Sequence, residues 1–486
     1  MVSRRANLGT SDSLEEFLER HSVKWCTVRF TDVLRRGKRL DARAFDVEAK
    51  QARAMLAGGK YPLVPVGSLA SAYVCGRFKR LWARKTDYPI YQPSAITDIC
   101  PVPDGFLSKY TKTNLDTLRV HKGQVLITCS GTIGKLSYVS RTLDEKIFSH
   151  DLLRVDCKDE TDAGYLYAFL KSKIGNKILL TSSYGAVITH IEPEHLVCVP
   201  MPDAPKNVKR EIHQIIARSY KLRDESNDLM DEATALLKKE LSLPEMDEID
   251  AKRHNEQAGV DTFSVRLSDW DGRLDASYHV PIAKTIMRHL EQYAEEVTTV
   301  GDERVSKAVV LPGRFKRVYV EKGYGRVFIG GKQIQELDPA NKKYFSNRCL
   351  TGSLAKQLDL QENITLITRS GTIGKVAITP KHWKHWILSE HIIRVVPASE
   401  EIAGYLYIFL ASDYTAPLIQ RGTYGAVVDE IDDTHVQKIP FPLLSNKVAQ
   451  AHINALALEA NEKRYEAYCL EQEALKIMDE KVIFAK

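Results

Sequence analysis

The eight cysteines, at 26, 75, 100, 129, 157, 198, 349 and 469, include no C-x-x-C pair, so neither a zinc site nor a thioredoxin-type redox motif is indicated. Scattered single thiols of this kind suit a reducing compartment, where they behave as small hydrophobes. No run of about 18 apolar residues occurs, which argues against a membrane-spanning helix. The opening stretch MVSRRANLGTSDSLEEFLERHS has no apolar segment suited to a signal peptide. A cytoplasmic location is the expectation. Catalytic motifs are missing as well. There is no H-E-x-x-H, G-x-S-x-G or G-x-G-x-x-G. No Pro-Pro pair occurs either, which excludes the (N/D)-P-P-(Y/F) motif of an adenine-N6 methyltransferase. Pro103-Asp104 with Asp144 and Lys146 loosely imitates a nuclease pattern, but the spacing is long and nothing equivalent recurs later. The charge surplus is small: 69 Lys and Arg against 63 Asp and Glu, a net +6. Such a surplus permits a nucleic-acid partner only if the cations gather on one face.

What the chain does contain is a copy of itself. VLITCSGTIGK at 125–135 returns as TLITRSGTIGK at 365–375, an offset of 240 from Gly131 to Gly371. The same offset relates AGYLYAFL at 163–170 to AGYLYIFL at 403–410, SYGAV at 183–187 to TYGAV at 423–427, His195 to His435, and PMP at 200–202 to PFP at 440–442. Upstream the offset shrinks to 237 for GRFKR (76–80 and 313–317) and to 234 for RLDA (39–42 and 273–276). Small length changes of this kind belong in surface loops. With 486 residues, each copy is domain-sized rather than a solenoid unit.

Each copy opens with short β-branched runs, among them QVLIT, LLRV, ITLIT, KVAIT and HIIRVV, punctuated by Gly, Pro, Asn and Asp. Each closes, after its Pro-x-Pro, on a long helical stretch. The first runs from about Asn207 to Leu241, with a seam of apolar or small residues at Ile212, Ile215, Ser219, Leu222, Ser226, Leu229, Ala233 and Leu236. The second runs from about Lys447 to Val482, with Ile453, Leu456, Ala460, Lys463, Ala467, Leu470, Ala474 and Ile477, interrupted only by Lys463. Alternating steps of three and four are those of a coiled-coil seam. The alternative is that each helix simply packs on its own domain. The fold class expected is α+β. Two similar mixed, strand-rich domains in tandem are separated by two long helices that form an antiparallel coiled coil. The boundaries are an N-terminal extension at 1–21, a first domain at 22–203, a first helix at 204–242, a polar linker at 243–260, a second domain at 261–443 and a second helix at 444–486.

Three recurring motifs carry candidate chemistry. In SGTIGK, the paired glycines suit a tight turn between strands. Ser130, Thr132 and Lys135, with Ser370, Thr372 and Lys375 (Arg369 preceding them in the second copy), offer hydroxyls, amides and cations to phosphate. The motif is no P-loop, because Leu136 and Val376 follow the lysines. A hairpin kept for its shape is the alternative. In GRFKR, Arg77, Lys79 and Arg80, with Arg314, Lys316 and Arg317, surround one phenylalanine and suit phosphate or guanine contact. An ordinary solvated basic turn is the alternative. Tyr184 and Tyr424 of the YGAV segment could reach DNA or be packed inside. His195 and His435 sit among apolar residues and read as structural, and RLDA reads as a local ion pair or an N-cap by Asp41 and Asp275.

On RLDA opening each half, LITxSGTIGK, the YGA segment and the Pro-x-Pro before a long helix, the chain resembles the specificity subunit of type I restriction-modification systems, or a related subunit of a phage-defence complex, from about residue 22 onward. The resemblance implies two target-recognition domains, each reading one half of a split site in double-stranded DNA. It implies helices that set the spacing and dock adenine-N6 methyltransferase subunits, two of them, and in many systems a translocating restriction subunit. This chain would be non-catalytic and hold no cofactor, with S-adenosylmethionine bound in the partner methyltransferase. A helix of about 35 residues is about 50 Å long, enough to hold reading domains one helical turn of DNA or more apart. Two other readings fit the residues: a DNA-binding adaptor for a different defence effector, and an interaction scaffold that reads no DNA.

Overall fold

A computed structural model of the chain describes residues 27–35, 45–83, 87–181, 183, 189–246, 263–267, 272–425 and 428–486. The first RLDA, Tyr184 and most of the polar linker lie outside the described residues. The chain divides into two compact units. One contains 102–217 with the chain before 97 and the last stretch from 471. The other contains 218–470 together with 97–101.

In the first unit, β1 (Leu63–Pro65), β2 (Ala70–Tyr73), β3 (Tyr88–Tyr91), β4 (Gly105–Leu107), β5 (Val125–Thr128), β6 (Leu136–Tyr138), β7 (Ile147–Phe148), β8 (Leu152–Cys157) and β9 (Pro200–Pro202) form three small sheets. Their orders are β2-β8-β5-β6, β4-β3-β7 and β1-β9. All pairings are antiparallel except β3 with β7. The VLIT run of β5 is buried at all four positions, which is why it reads as a continuous apolar block rather than an alternating one. It is covered by α1 (Glu160–Lys171), which is buried from Asp162 through Leu170. Asp159 starts that helix by accepting the Thr161 amide at 3.0 Å.

The second unit repeats the plan. Its strands are β10 (Glu296–Thr299), β11 (Ser306–Val310), β12 (Tyr319–Val320), β13 (Gly325–Ile329), β14 (Lys343–Ser346), β15 (Thr365–Thr368), β16 (Val376–Ile378), β17 (Ile387–Leu388), β18 (Ile392–Pro397) and β19 (Pro440–Leu443). They order as β11-β18-β15-β16, β12-β14-β13-β17 and β10-β19, and the parallel pair is again the corresponding one, β13 with β17. One shared device was not read from the sequence. Arg154 of β8 and Arg394 of β18 are fully buried. The Arg154 guanidinium donates to the carbonyls of Leu118, Phe148 and Leu152, and that of Arg394 to those of Gln357 and Leu388. Burial depresses both guanidinium pKa values, that of Arg394 to about 10.

The long helices are α2 (Lys206–Glu240) and, beyond α3 (Glu400–Ala411), α4 (Lys447–Ile477), which continues as a π-helical turn over Met478–Ile483. In the second unit, Ser219 Oγ donates to the Ala467 carbonyl at 2.6 Å, Lys463 meets Glu225 at 3.0 Å, and Arg464 Nε donates to Ser226 Oγ at 3.1 Å. In the first, Lys481 pairs with Glu211 at 2.7 Å. Numbers rise along α2 as they fall along α4, so the helices run antiparallel. Ser219, Ser226, Ala460, Ala467 and Ala474 are fully buried, and these small side chains let the backbones come close.

The seam itself differs from the expected one. Ile216, Met230 and Leu237 are buried where Ile215, Leu229 and Leu236 were expected and are only half-buried. On α4 the buried row is Ile453, Ala457, Ala460, Arg464, Ala467, Glu471, Ala474 and Met478, and Lys463 lies at its margin. Three-four spacing alone does not single out the charged members of this row. Arg464 and Glu471 look unfit for a seam, yet both are buried with partners. Besides Ser226 for Arg464, Glu471 accepts from the Tyr167 hydroxyl and from Lys171 at 2.7 Å.

Nor does each helix pack on one domain only. In the first unit, α2 crosses α1 where the Gly164 amide meets His213 Nδ1 at 3.3 Å. In the second, Met230, Ala233 and Leu237 of α2 enter the main core beside Tyr405 and Ile453. There α4 crosses α3 at Gly404, whose amide donates to Asn454 Oδ1 at 2.7 Å. A Cβ on Gly404 would clash with the Asn454 carbonyl and lie 2.9 Å from the Ala457 methyl. Gly404→Ala is therefore expected to destabilise the protein by about 1–3 kcal/mol. Gly313→Ala, where a Cβ meets nothing within 4 Å, should stay within about 0.5 kcal/mol of wild type. Urea midpoints of the two variants give the comparison.

Candidate nucleic-acid interface

The SGTIGK segments form the turns between β5 and β6 and between β15 and β16, each locked from beneath by a threonine. Thr128 Oγ1 donates to the Thr132 carbonyl at 2.7 Å and accepts the Lys135 amide at 3.0 Å. Thr368 does the same with Thr372 and Lys375. Gly131 and Gly134, with φ of 70° and 80°, and Gly371 and Gly374, at 76° and 84°, occupy the left-handed region the turn requires. The shape-keeping role is thus real. It also leaves Thr132, Thr372 and Lys375 exposed, with Ser130, Ser370 and Lys135 half-buried.

The GRFKR segments lie outside helix and strand, with side chains of differing exposure. Arg77, Lys79, Arg314 and Lys316 are exposed. Phe78 packs on the Ile90, Leu107, Leu118 and Ile147 cluster, and Phe315 stands edge-on to Phe345 at 5.6 Å. The last arginine of each motif is held by side-chain partners, Arg80 half-buried and Arg317 exposed. Arg80 donates to Ser149 Oγ at 3.1 Å. Arg317 donates to the equivalent Ser389 at 3.2 Å and to Glu390 at 2.7 Å. Burial pushes the Glu390 carboxyl up, but the Arg317 hydrogen bond and charge, a backbone hydrogen bond and the His391 charge together hold it below the usual glutamate range. Arg369 is engaged as well, through Glu430 Oε2 at 2.6 Å and the Ile431 carbonyl.

In the second unit these contacts join the motifs into one edge. Ser370 Oγ lies 2.8 Å from His391 Nδ1, and His391 follows Glu390, the partner of Arg317. Ser370 bridges Glu430, and the Glu430 amide donates to the Tyr424 carbonyl at 2.8 Å. Tyr424 is 42% exposed on this edge. The turn at 422–423 is braced by the second RLDA, whose Arg273 donates to the Gly422 and Thr423 carbonyls. Arg273 pairs with Asp275 at 2.6 Å, so RLDA supplies the ion pair, while Asp275 makes no side-chain cap to the following turn. The first unit keeps the frame, with Ser130 bridged to His190 and the Ile191 amide donating to the Cys129 carbonyl at 3.0 Å. The histidines are structural. His195 Nδ1 accepts the Glu192 amide, and burial lowers the pKa of His435, whose Nε2 faces the Leu418 and Ile419 carbonyls.

One carboxylate group elsewhere has metal-like spacing among the described residues: His121, Asp144 and Glu145. Its oxygens already serve the Lys122 amide, at 2.8 Å, and Arg119.

Each unit thus presents a turn with exposed or half-buried hydroxyls and a basic segment with exposed cations. Residues 332–476 match the model of the family described as type I restriction modification DNA specificity domain. Among solved structures, a type I restriction-modification S subunit from M. genitalium is similar at 13% identity, over 87% of this chain and 96% of its own, with a TM-score of 0.33. The HsdS subunit from Thermoanaerobacter tengcongensis is similar at 15% identity over 87% and 96%, with a TM-score of 0.26. A chain solved in connection with complex assembly and conformational transition of the type I R-M system gives 13%, 88% and 98%, with 0.26. TM-scores this low carry no argument about the arrangement of this chain. No curated protein matches it. Among the described residues, no helix is long and apolar enough to cross a membrane.

Arg317→Ala is expected to cost roughly 1–2 kcal/mol at neutral pH, allowing for a side chain one-third exposed. The depressed Glu390 pKa makes this stabilisation complete above the ordinary glutamate range and progressively lost as pH falls through the lower folded value. Thermal midpoints of wild type and variant should therefore differ at pH 7 and converge in acid.

Proposed function

We propose that the chain is the DNA-specificity subunit of a type I restriction-modification or closely related phage-defence system, with each unit reading one half of a bipartite site. The observation that carries this is the recurrence of one edge in both units: the same threonine-locked turn, the same serine-bound arginine and the same exposed cations, with the family match lying on the second copy. Exposed Arg77, Lys79, Arg314 and Lys316 supply phosphate contacts, which set register and affinity. The turn hydroxyls and Tyr424 face the grooves. Arg80, Arg317 and Arg369 act by holding the edge in shape. The paired helices fix the separation of the half-sites and receive partner subunits, two adenine-N6 methyltransferases that carry S-adenosylmethionine and, where restriction occurs, a translocating nuclease. The chain itself performs no chemistry, and it works in the cytoplasm.

Methylome sequencing of cells expressing the chain with its neighbouring methyltransferase tests this. The expected result is N6-methyladenine in an interrupted two-part motif. DNA binding without methylation would instead favour an adaptor for another effector. Lys79→Ala and Lys316→Ala should each lower affinity across all duplex sequences and reduce the slope of log K against log salt by about 0.9, read by fluorescence anisotropy over a salt series. Unchanged slopes for both would remove GRFKR from the DNA face.

A further inference from the structure

GRFKR is followed at the same place in each copy by an exposed aromatic, as GRFKRLW at 76–82 and GRFKRVY at 313–319. Trp82 is 55% exposed and Tyr319 42%. A scattered exposed ring needs no explanation, but these two share position, support and neighbourhood. They hold matching positions, Trp82 bridged to Leu107 of β4 and Tyr319 of β12 paired with Phe345 of β14.

Both are also held still. Trp82 lies over Gly105 so closely that a Cβ there would come within 2.7 Å of its ring, and the guanidinium of Arg80 lies 5.9 Å from its centroid. Tyr319 stands edge-on to Phe328 at 5.6 Å, and Lys343 Nζ lies 5.1 Å from its ring. A ring fixed on one side and open on the other loses little side-chain entropy on binding. Three and five residues before it in each copy stand the exposed cations Lys79 and Arg77, or Lys316 and Arg314.

Resting on the DNA-reading role proposed above, we propose that Trp82 and Tyr319 are specificity-determining residues, each contacting bases within the half-site of its own unit. The cations are identical in the two copies, and phosphate contacts carry no sequence information. The aromatic is one exposed position at which the copies differ. Indole offers a ring and a single N–H donor, whereas phenol offers a smaller ring with a hydroxyl that both donates and accepts. Either ring can pack on a thymine methyl or wedge between base steps, and the two would favour different sequences. A shared cationic frame with an exchanged aromatic is thus a means for one fold to read two unlike half-sites.

The test uses the full chain as wild type, Trp82→Ala, Tyr319→Ala, Trp82→Tyr and Tyr319→Trp. Each is selected against a pool of duplexes randomised over the site and then titrated with chosen and scrambled duplexes. Each alanine variant should lose base preference by about tenfold or more within one half-site. It should keep the other half and its affinity for scrambled DNA. Each ring exchange should change the preferred base in the same half; because it retains an aromatic at that position, it also serves if an alanine variant fails to fold. Preferences unchanged in both halves would overturn the proposal, as would an affinity loss equal for every duplex. A wild-type chain with no salt-sensitive binding to any duplex would overturn the DNA-reading role itself, and this assignment with it.

Discussion

The organisation depends on the burial of two charges along one helix seam. Arg464 and Glu471 lie in α4 with almost no exposure, and neither could stay there unpaired. Removing the partner of a buried charge typically costs about 3–5 kcal/mol. Glu471 is satisfied where α1 presents Tyr167 and Lys171, and Arg464 where α2 presents Ser226 and Cys100 Sγ lies at 3.6 Å. A slip of one heptad along α4 would strand both. The small residues around them, Ser219, Ala460 and Ala467, allow a close approach but would tolerate several registers. The charges select one.

The same seam explains why each unit contains pieces of both helices. α2 begins against α1 at His213 and ends in the second unit's core through Met230 and Leu237. α4 begins against α3 at Asn454, and its Glu471 belongs to the first unit. The helix segments of each unit are therefore part of that unit's own core and form the frame for its edge. The edges sit on that frame with a common backbone and different chemistry. Thr128 and Thr368 lock identical turns, while Cys129 becomes Arg369, His150 becomes Glu390 and Trp82 becomes Tyr319. Duplication preserved the geometry while side chains along the edge, buried and exposed alike, diverged.

Much of this was legible in the sequence, because the signals were local or repeated. The offset of 240 announced two similar domains, β-branched runs marked β5, β8, β15 and β18, and the three-four spacing marked helices that end within a few residues of where they were read. What escaped depends on distances across the fold. Nothing local separates Arg154 and Arg394, buried against carbonyls, from solvated arginines such as Arg77. Arg80, Arg317 and Arg369 carry the right charge for DNA, but Ser149, Ser389, Glu390 and Glu430 reach them first. The seam was drawn one position off at several turns because three-four spacing does not choose between neighbouring apolar residues such as Ile215 and Ile216, nor foresee a partner supplied from about 300 residues away, as Tyr167 is for Glu471. Trp82 and Tyr319 were passed over because an exposed aromatic leaves no periodic signature.

The central claim is that two separately folded edges, held on one pair of helices, read two separate halves of a DNA site. It is tested most directly by replacing residues 22–203 with the corresponding segment of another such chain, co-expressing the hybrid with the same methyltransferase, and sequencing the methylated positions. The account predicts that one half of the motif changes while the other half is retained. A hybrid that alters both halves together, or leaves the whole motif unchanged, would contradict it.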